Sequence, residues 1–283
     1  KKSDQKIAVL YIAGPIISDP INYYNFEFFN SSEAIYPSII EEYLNELEKK
    51  QIVGLIISIN SQGGSVSASQ KIYNLLNNFK EKNNIPIYFH SSDVLASGGY
   101  WISLSGDKIF ADYGTIIGSI GVKGPDWLYY NSPTSLSTGL LGNSVESPSG
   151  IKLFSNTAGV SKDIFNPFRE PSQKEKNKLR QMVIDIYDDF VNLVSKNRKI
   201  EKIIIKDKIG AMIFNTKKAQ QLYLIDAQKD IKEVIEILEK ELKLDSKKII
   251  TNKNKTKFHL LDLKILSYLK NEKLINQNRI IIK

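Results

Sequence analysis

Two apolar patterns alternate along the chain. Short unbroken apolar runs read as strands buried on both faces: residues 6–14 (KIAVLYIAG), 52–59 (IVGLIISI), 85–90 (IPIYFH) and the shorter 108–112 (KIFAD). Between them the apolar positions recur at helical spacing. Residues 37–50 carry Ile39, Ile40, Tyr43, Leu44 and Leu47 on one face, and the segment after Val66 carries Ile72, Leu75, Leu76 and Phe79. The longest periodic stretch, 171–199, opens on Ser172 and Glu175 spaced as a capping box. Its stripe is Leu179, Met182, Val183, Ile186, Tyr187, Phe190, Leu193 and Val194. Shorter helices are predicted over 215–226 and 230–242, and another directly after Ser97 in GGYWISLS. Strands alternating with helices predict an α/β layered fold with a parallel sheet. The Gly/Ser/Pro/Asn-rich stretch 124–160 yields no assignment, and no internal repeat is visible.

Two glycine pairs, Gly63-Gly64 and Gly98-Gly99, follow consecutive strands. Sites collect at the carboxyl ends of strands in such sheets, and backbone N–H groups on such turns can converge on a developing oxyanion. Ser97 stands directly before the second pair. A serine there is either a turn residue or a nucleophile, and a nucleophile needs a base within hydrogen-bond reach. The chain has two histidines. His259 falls in a basic tail, and His90 closes the third strand, where it reads as a satisfied strand-end residue. A lysine is the alternative base, and it serves only when neutral, a state that burial and a nearby cation favour. The residues alone do not say which lysine.

Charge narrows the partners. The net charge of +8 resides wholly in residues 247–283, which hold ten Lys/Arg and two acids, so the remainder is neutral. A basic tail suits an anionic membrane surface or an acidic partner, and equally a solvated lysine-rich face. The neutral body argues against nucleic-acid binding. The absence of cysteine excludes disulfide and thiolate chemistry. No apolar run of about 18 residues is present to span a membrane. The chain begins at Lys1, and an N-terminal signal or anchor ahead of it is expected.

Four ordered blocks carry a family resemblance. SINSQGGSVSAS (58–69), SSDVLASGGYWISLSGDKIFAD (91–112) with GTIIGSIGV (114–122), SKDIFNPFREPSQKEKNKLRQMVIDIYDDFV (161–191) and KKAQQLYLID (217–226) together resemble the signal peptide peptidase A family, the S49 serine peptidases. Gln62 stands where that family has proline, and Leu95 where it has alanine. The resemblance covers roughly residues 6–240 and implies the ClpP/crotonase-like layered α/β fold of repeated β-β-α and βαβ units, with a parallel sheet and packed helices. It implies a serine endopeptidase with Ser97 as nucleophile, Lys162 as general base and Ser119 orienting the lysine amine. Gly63, Gly64 and Gly98 would supply the oxyanion and substrate-binding backbone. Asp93 and Arg169 read as turn or ion-pairing residues.

The expected organisation is a peptidase domain over 1–245 and a basic extension over 246–283. The expected substrates are remnant signal peptides or other membrane-derived or unfolded peptides. A homo-oligomeric ring or dome is expected, with Lys162 of one protomer reaching Ser97 of the next, and an extracytoplasmic, membrane-associated location through an N-terminal anchor. Neither metal nor other cofactor is implied. Trp127, Leu128, Tyr129, Leu140 and Leu141 are candidate linings of an apolar cleft, or simply pack down their loop. A crotonase-type acyl-CoA enzyme shares the fold, and a catalytically silent scaffold is the third class.

Overall fold

The computed structural model describes residues 5–19, 34–131, 135–138, 143–146, 153, 156–244 and 249–252. His259, Leu140, Leu141 and the tail beyond Asn252 lie outside the described residues. The elements run β1 (Lys6–Ala13), α1 (Pro37–Glu48), β2 (Ile52–Asn60), α2 (Val66–Asn83), β3 (Ile87–Ser91), β4 (Val94–Ala96), α3 (Gly98–Ser103), β5 (Lys108–Ala111) and β6 (Ile116–Gly118). After the hairpin β7 (Ser135–Thr138) and β8 (Asn143–Glu146) come α4 (Gln173–Arg198), α5 (Lys202–Ile204) and a π-helical turn, Ile205–Ile209. The last elements are β9 (Ile213–Phe214), α6 (Thr216–Gln221), β10 (Ala227–Gln228), α7 (Ile231–Glu241) and β11 (Ile249–Thr251).

The main sheet is parallel throughout, in the order β10-β5-β3-β2-β1-β11. Its apolar runs are continuous because helices cover both faces. Ala8 and Leu10 of β1, with Leu55, Ile57 and Ile59 of β2, join the core formed with Ile40 and Leu44 of α1 and Ile72 and Leu76 of α2. The alternate residues Ile7, Val9, Ile56, Tyr88 and Phe110 face Val234 and Leu238 of α7. Gly54 keeps that second interface tight, since a β-carbon there would stand 3.1 Å from both Leu238 and Leu242. Truncating Leu238, which is fully buried, would cost about 2–5 kcal/mol.

Local signals set the helix ends. Ser65 caps α2 by accepting from Ala68 N at 3.3 Å, and Asn84 closes it in the left-handed region. The capping box of Ser172 and Glu175 starts α4, and a second one, Asp230 with Glu233, starts α7. Strand β11 lies past the domain boundary expected at residue 245. It pairs in parallel with β1, and the Asn252 side chain brackets Tyr11 with two hydrogen bonds of 2.8 Å.

Helix α4 corrects one expectation. Only the C-terminal half of its predicted stripe enters the core, through Phe190 and Val194 with Val191 beside them. Further up, Leu179 and Val183 are half-buried and Met182 is 44% exposed. The periodicity is genuine, but among the described residues this half of the stripe stays outside the core, with Val183 lying against Gly124, where a β-carbon would stand 2.6 Å from it.

Candidate active site

A second, smaller sheet presents the serine. Its order is β4-β6-β9, with β4 and β6 parallel. Ser97 follows β4 with φ 51° and ψ −121°. That region suits glycine, and a serine there costs of order 1–3 kcal/mol unless the surroundings enforce it. They do. The Ser97 N–H donates to Gly118 O at 2.9 Å, and Trp101 N donates to Ser97 O at 2.9 Å. One residue earlier, Ala96 N donates to Ser61 O at 3.0 Å, while Ser61 N donates to Val94 O at 2.7 Å. Ser97 sits at the N-cap of α3, yet its side chain makes no capping bond.

The first glycine turn packs directly against this serine. A β-carbon on Gly63, whose φ is +102°, would stand 2.6 Å from Gly98 N and 3.1 Å from Ser97 Oγ. A β-carbon on Gly98 would stand 2.5 Å from Ser69 Oγ and 3.3 Å from Gly64 N. Residue Ile16 fixes the turn from outside: its N–H donates to Gly63 O at 2.9 Å and its carbonyl accepts from Ser65 N at 2.8 Å. A side chain on Gly64 is impossible there, since its β-carbon would meet Ile16 O at 2.1 Å. The Gly63 N–H is already donated to Ser61 Oγ at 3.1 Å. Of the three expected oxyanion donors, the amides of Gly64 and Gly98 therefore remain, the latter in the first turn of a helix where no intrahelical acceptor exists.

Ser119 belongs to the same cluster. It follows Gly118, whose carbonyl holds Ser97, and its own N–H donates to Met212 O at 2.8 Å. It is half-buried with φ 52°.

Lys162 stands apart. It is exposed, on a turn closed by Lys162 N to Gly159 O at 3.2 Å and Ile164 N to Ser161 O at 3.1 Å. Among the described residues its side chain has no hydrogen bond and no ion pair. The turn itself is held firmly. The Arg169 guanidinium binds Asp163 with bonds of 2.8 and 3.1 Å and Glu175 with bonds of 2.9 and 3.0 Å, and it lies 5.1 Å from the centre of the Trp127 ring. This is the ion-pairing role expected of Arg169. The Glu175 carboxyl is held well below its ordinary range, first by Arg169 and then by the Ser172 N–H. Trp127 also donates to Asn166 O at 3.1 Å and packs edge-on against Phe165. So Trp127 pins the lysine turn, while Leu128 and Tyr129 are exposed.

His90 is buried on the α7 side of the main sheet. Its Nδ1 shares a hydrogen bond with Ser58 Oγ at 3.3 Å, and its Nε2 lies 3.0 Å from Asp112 Oδ1. It is the satisfied strand-end histidine expected, without contact to Ser97. Sequence reasoning missed Asn60. Its Oδ1 accepts from Ser91 Oγ, Ser92 N and Asp93 N at 2.9–3.0 Å, and its Nδ2 donates to Ser92 Oγ at 2.9 Å. The signal was an asparagine at a strand end, a residue type that ties down neighbouring turn backbone. Among the described residues, no group of three or more His, Cys, Asp or Glu could hold a metal ion.

The model of Peptidase family S49 matches residues 79–137 and 141–245, more than half of the chain. The chain belongs to peptidase family S49. It is a serine peptidase, and the layered α/β fold with a parallel sheet and packed helices expected of that family is the one observed. An Enterococcus faecium protein assigned as a signal peptide peptidase SppA is 30% identical over 260 residues, 90% of this chain and 69% of that one. Protease 4 of Haemophilus influenzae is 28% identical over 222 residues, 78% of this chain but 32% of that protein. Among solved structures, a mutant of the 1510-N membrane-bound stomatin-specific protease in complex with a substrate peptide superposes with a TM-score of 0.50. It is 16% identical and covers 94% of this S49 chain and 98% of its own, a likeness of fold. Membership in S49 leaves the acyl-CoA reading without support.

Proposed function

We propose that the chain is an endopeptidase with a Ser97/Lys162 dyad, acting on remnant signal peptides or other membrane-derived or unfolded peptides. The observation that carries this is the strained Ser97 turn, closed against Gly63 and Gly98 with Ser97 Oγ uncommitted to the helix cap. Ser97 Oγ attacks the scissile carbonyl while Lys162 Nζ takes the hydroxyl proton. The oxyanion accepts hydrogen bonds from the Gly64 and Gly98 amides. Lys162 then hands its proton to the leaving amine, and water hydrolyses the acyl-serine by the reverse proton path. Ser119, one residue beyond the carbonyl that holds Ser97, orients the lysine amine.

The dyad assembles between protomers. A lysine works as a base only when removed from water, and a single chain leaves Lys162 exposed and without a partner among the described residues. The part of the α4 stripe that stays outside the core, half-buried Leu179 and Val183 with exposed Met182, starts one turn beyond the Arg169 clamp and suits a second copy. A ring or dome built this way limits entry to short or unfolded chains. Among the described residues no helix is long and apolar enough to cross a membrane, so membrane association is proposed through segments elsewhere. Residues 1–245 form the peptidase domain in this reading, extended by strand β11, which pairs with β1, and the basic residues beyond Asn252 meet the membrane surface or a neighbour. The test is labelling with a serine-directed fluorophosphonate. Mass spectrometry should place the adduct on Ser97 and find none in Ser97→Ala. An adduct elsewhere, with peptide hydrolysis surviving in Ser97→Ala, removes the mechanism.

A further inference from the structure

A groove of about 780 Å³ adjoins the serine turn. It is bounded by the first turn of α2, by α3 and by the middle of α4. Val66 stands two residues after Gly64, and Trp101 is the residue whose N–H bonds Ser97 O. The walls are firm and mixed, with Ser65, Ser67 and Gln70 beside the apolar Val66 and Trp101. Trp101 stacks on Phe190 with ring centres 4.6 Å apart, and its Nε1 donates to Gln70 Oε1 at 2.9 Å. The Gln70 amide nitrogen is in turn donated to Asn74 at 2.8 Å. Ile186 and Leu193 complete the apolar lining.

One charge lines the groove, that of Asp189. Its neighbours on α4 are engaged: Asp188 pairs with Lys206 at 2.6 Å, and Asp185 accepts from Gln181 at 2.7 Å. Asp189 has no ion pair among the described residues. An exposed carboxylate in the same groove as the apolar side chains of Trp101, Ile186 and Leu193 matches a side chain with an apolar stem and a cationic end. We infer that this groove takes a lysine or arginine side chain of the bound peptide, with Asp189 as the specificity-determining residue. The inference rests on the peptidase reading above and adds to it a charge preference.

The test uses the full chain bearing Ser97→Ala and labelled peptides that differ only by Lys, Met or Glu at one swept position, with binding followed by fluorescence anisotropy. At one position Lys should bind about tenfold more tightly than Met, with Glu weakest. Adding Asp189→Asn should erase the Lys advantage, and Asp189→Lys should move the preference to Glu. Asp188→Asn, one residue away but turned to Lys206, should leave the ratio as it was. No peptide binding, a Lys advantage below about twofold at every position, or an advantage that survives Asp189→Asn or falls equally in Asp188→Asn overturns the assignment. A neighbouring protomer seated in the groove would give equal Lys and Met binding, and so counts among these. Failure of the peptidase reading shows separately, as a wild-type chain whose Ser97 takes no fluorophosphonate.

Discussion

Gly63 and Ser97, 34 residues apart in the chain, are packed so closely that no side chain fits between them. A β-carbon at position 63 would come within 2.8 Å of Ser97 Cβ and 2.6 Å of the Gly98 amide, both on firmly held backbone. Gly63→Ala should therefore cost about 3 kcal/mol in stability and abolish fluorophosphonate labelling even well below its melting temperature. Calorimetry and labelling on the same sample check both. A labelled, wild-type-stable Gly63→Ala chain would show that the turn is not as tight as described.

The Ser97 backbone yields a second expectation. Strain of about 1–3 kcal/mol at this φ and ψ exceeds the roughly 0.5–1 kcal/mol that glycine adds in unfolded-chain entropy. Ser97→Gly should melt above Ser97→Ala by about 1 kcal/mol, with both inert to the label. Equal melting temperatures would mean that the strain only offsets the entropy cost of glycine, and a lower one for Ser97→Gly that the serine conformation carries no strain.

Assembly of the dyad between protomers predicts complementation. Inactive Ser97→Ala and Lys162→Ala chains, refolded together, should regain part of the peptidase activity, because some interfaces pair an intact serine with an intact lysine. Met182→Glu should fold, fail to assemble and lose activity, as read by sedimentation and hydrolysis. Mixed oligomers that form and stay inactive would put both residues in one chain.

The Arg169–Glu175 contact predicts an acid dependence of stability. The Glu175 carboxyl is held far below its ordinary value of 4.5, first by Arg169. As the pH falls below that ordinary value the unfolded chain takes up the proton while the folded chain resists it. The stabilisation is thus complete above about pH 5 and drains away toward pH 2. Glu175→Gln should flatten the stability profile across that window and leave it parallel to wild type at neutral pH, as denaturant titrations would show. An unchanged acid slope removes the contact from the stability argument.

The sequence made the layered core legible because each main strand is apolar on both faces. Residues 52–59, for example, leave no other reading. Strands β4, β6 and β9, with two or three residues each, carry too little periodicity to register. Yet β4 and β6 set the backbone of Ser97. The serine itself was found from its glycines and its resemblance, and its closure against Gly63 emerged only in three dimensions. The stripe on α4 was read correctly as apolar, but a sequence does not reveal whether the surface that covers a stripe belongs to the same chain. Asn60 escaped because one asparagine at a strand end looks like any turn former.

Asn60 has one consequence for motion. It joins the end of a central strand to the turn leading into β4, and beyond that turn the amides of Ser61, Ala96 and Ser97 donate to Val94 O, Ser61 O and Gly118 O, within and beside the smaller sheet. Their hydrogens should exchange with solvent only when the core opens, at the slow rate of global unfolding. The turn around Lys162 is closed by bonds that span three residues each on an exposed surface, and its amides should exchange through small local fluctuations. The two halves of the reaction centre are thus held differently, the serine through its own backbone bonds and the lysine turn through the side chains of Arg169 and Trp127 at its flank, and a surface that closes over the lysine acts on the half nearer solvent while the serine stays as folding left it.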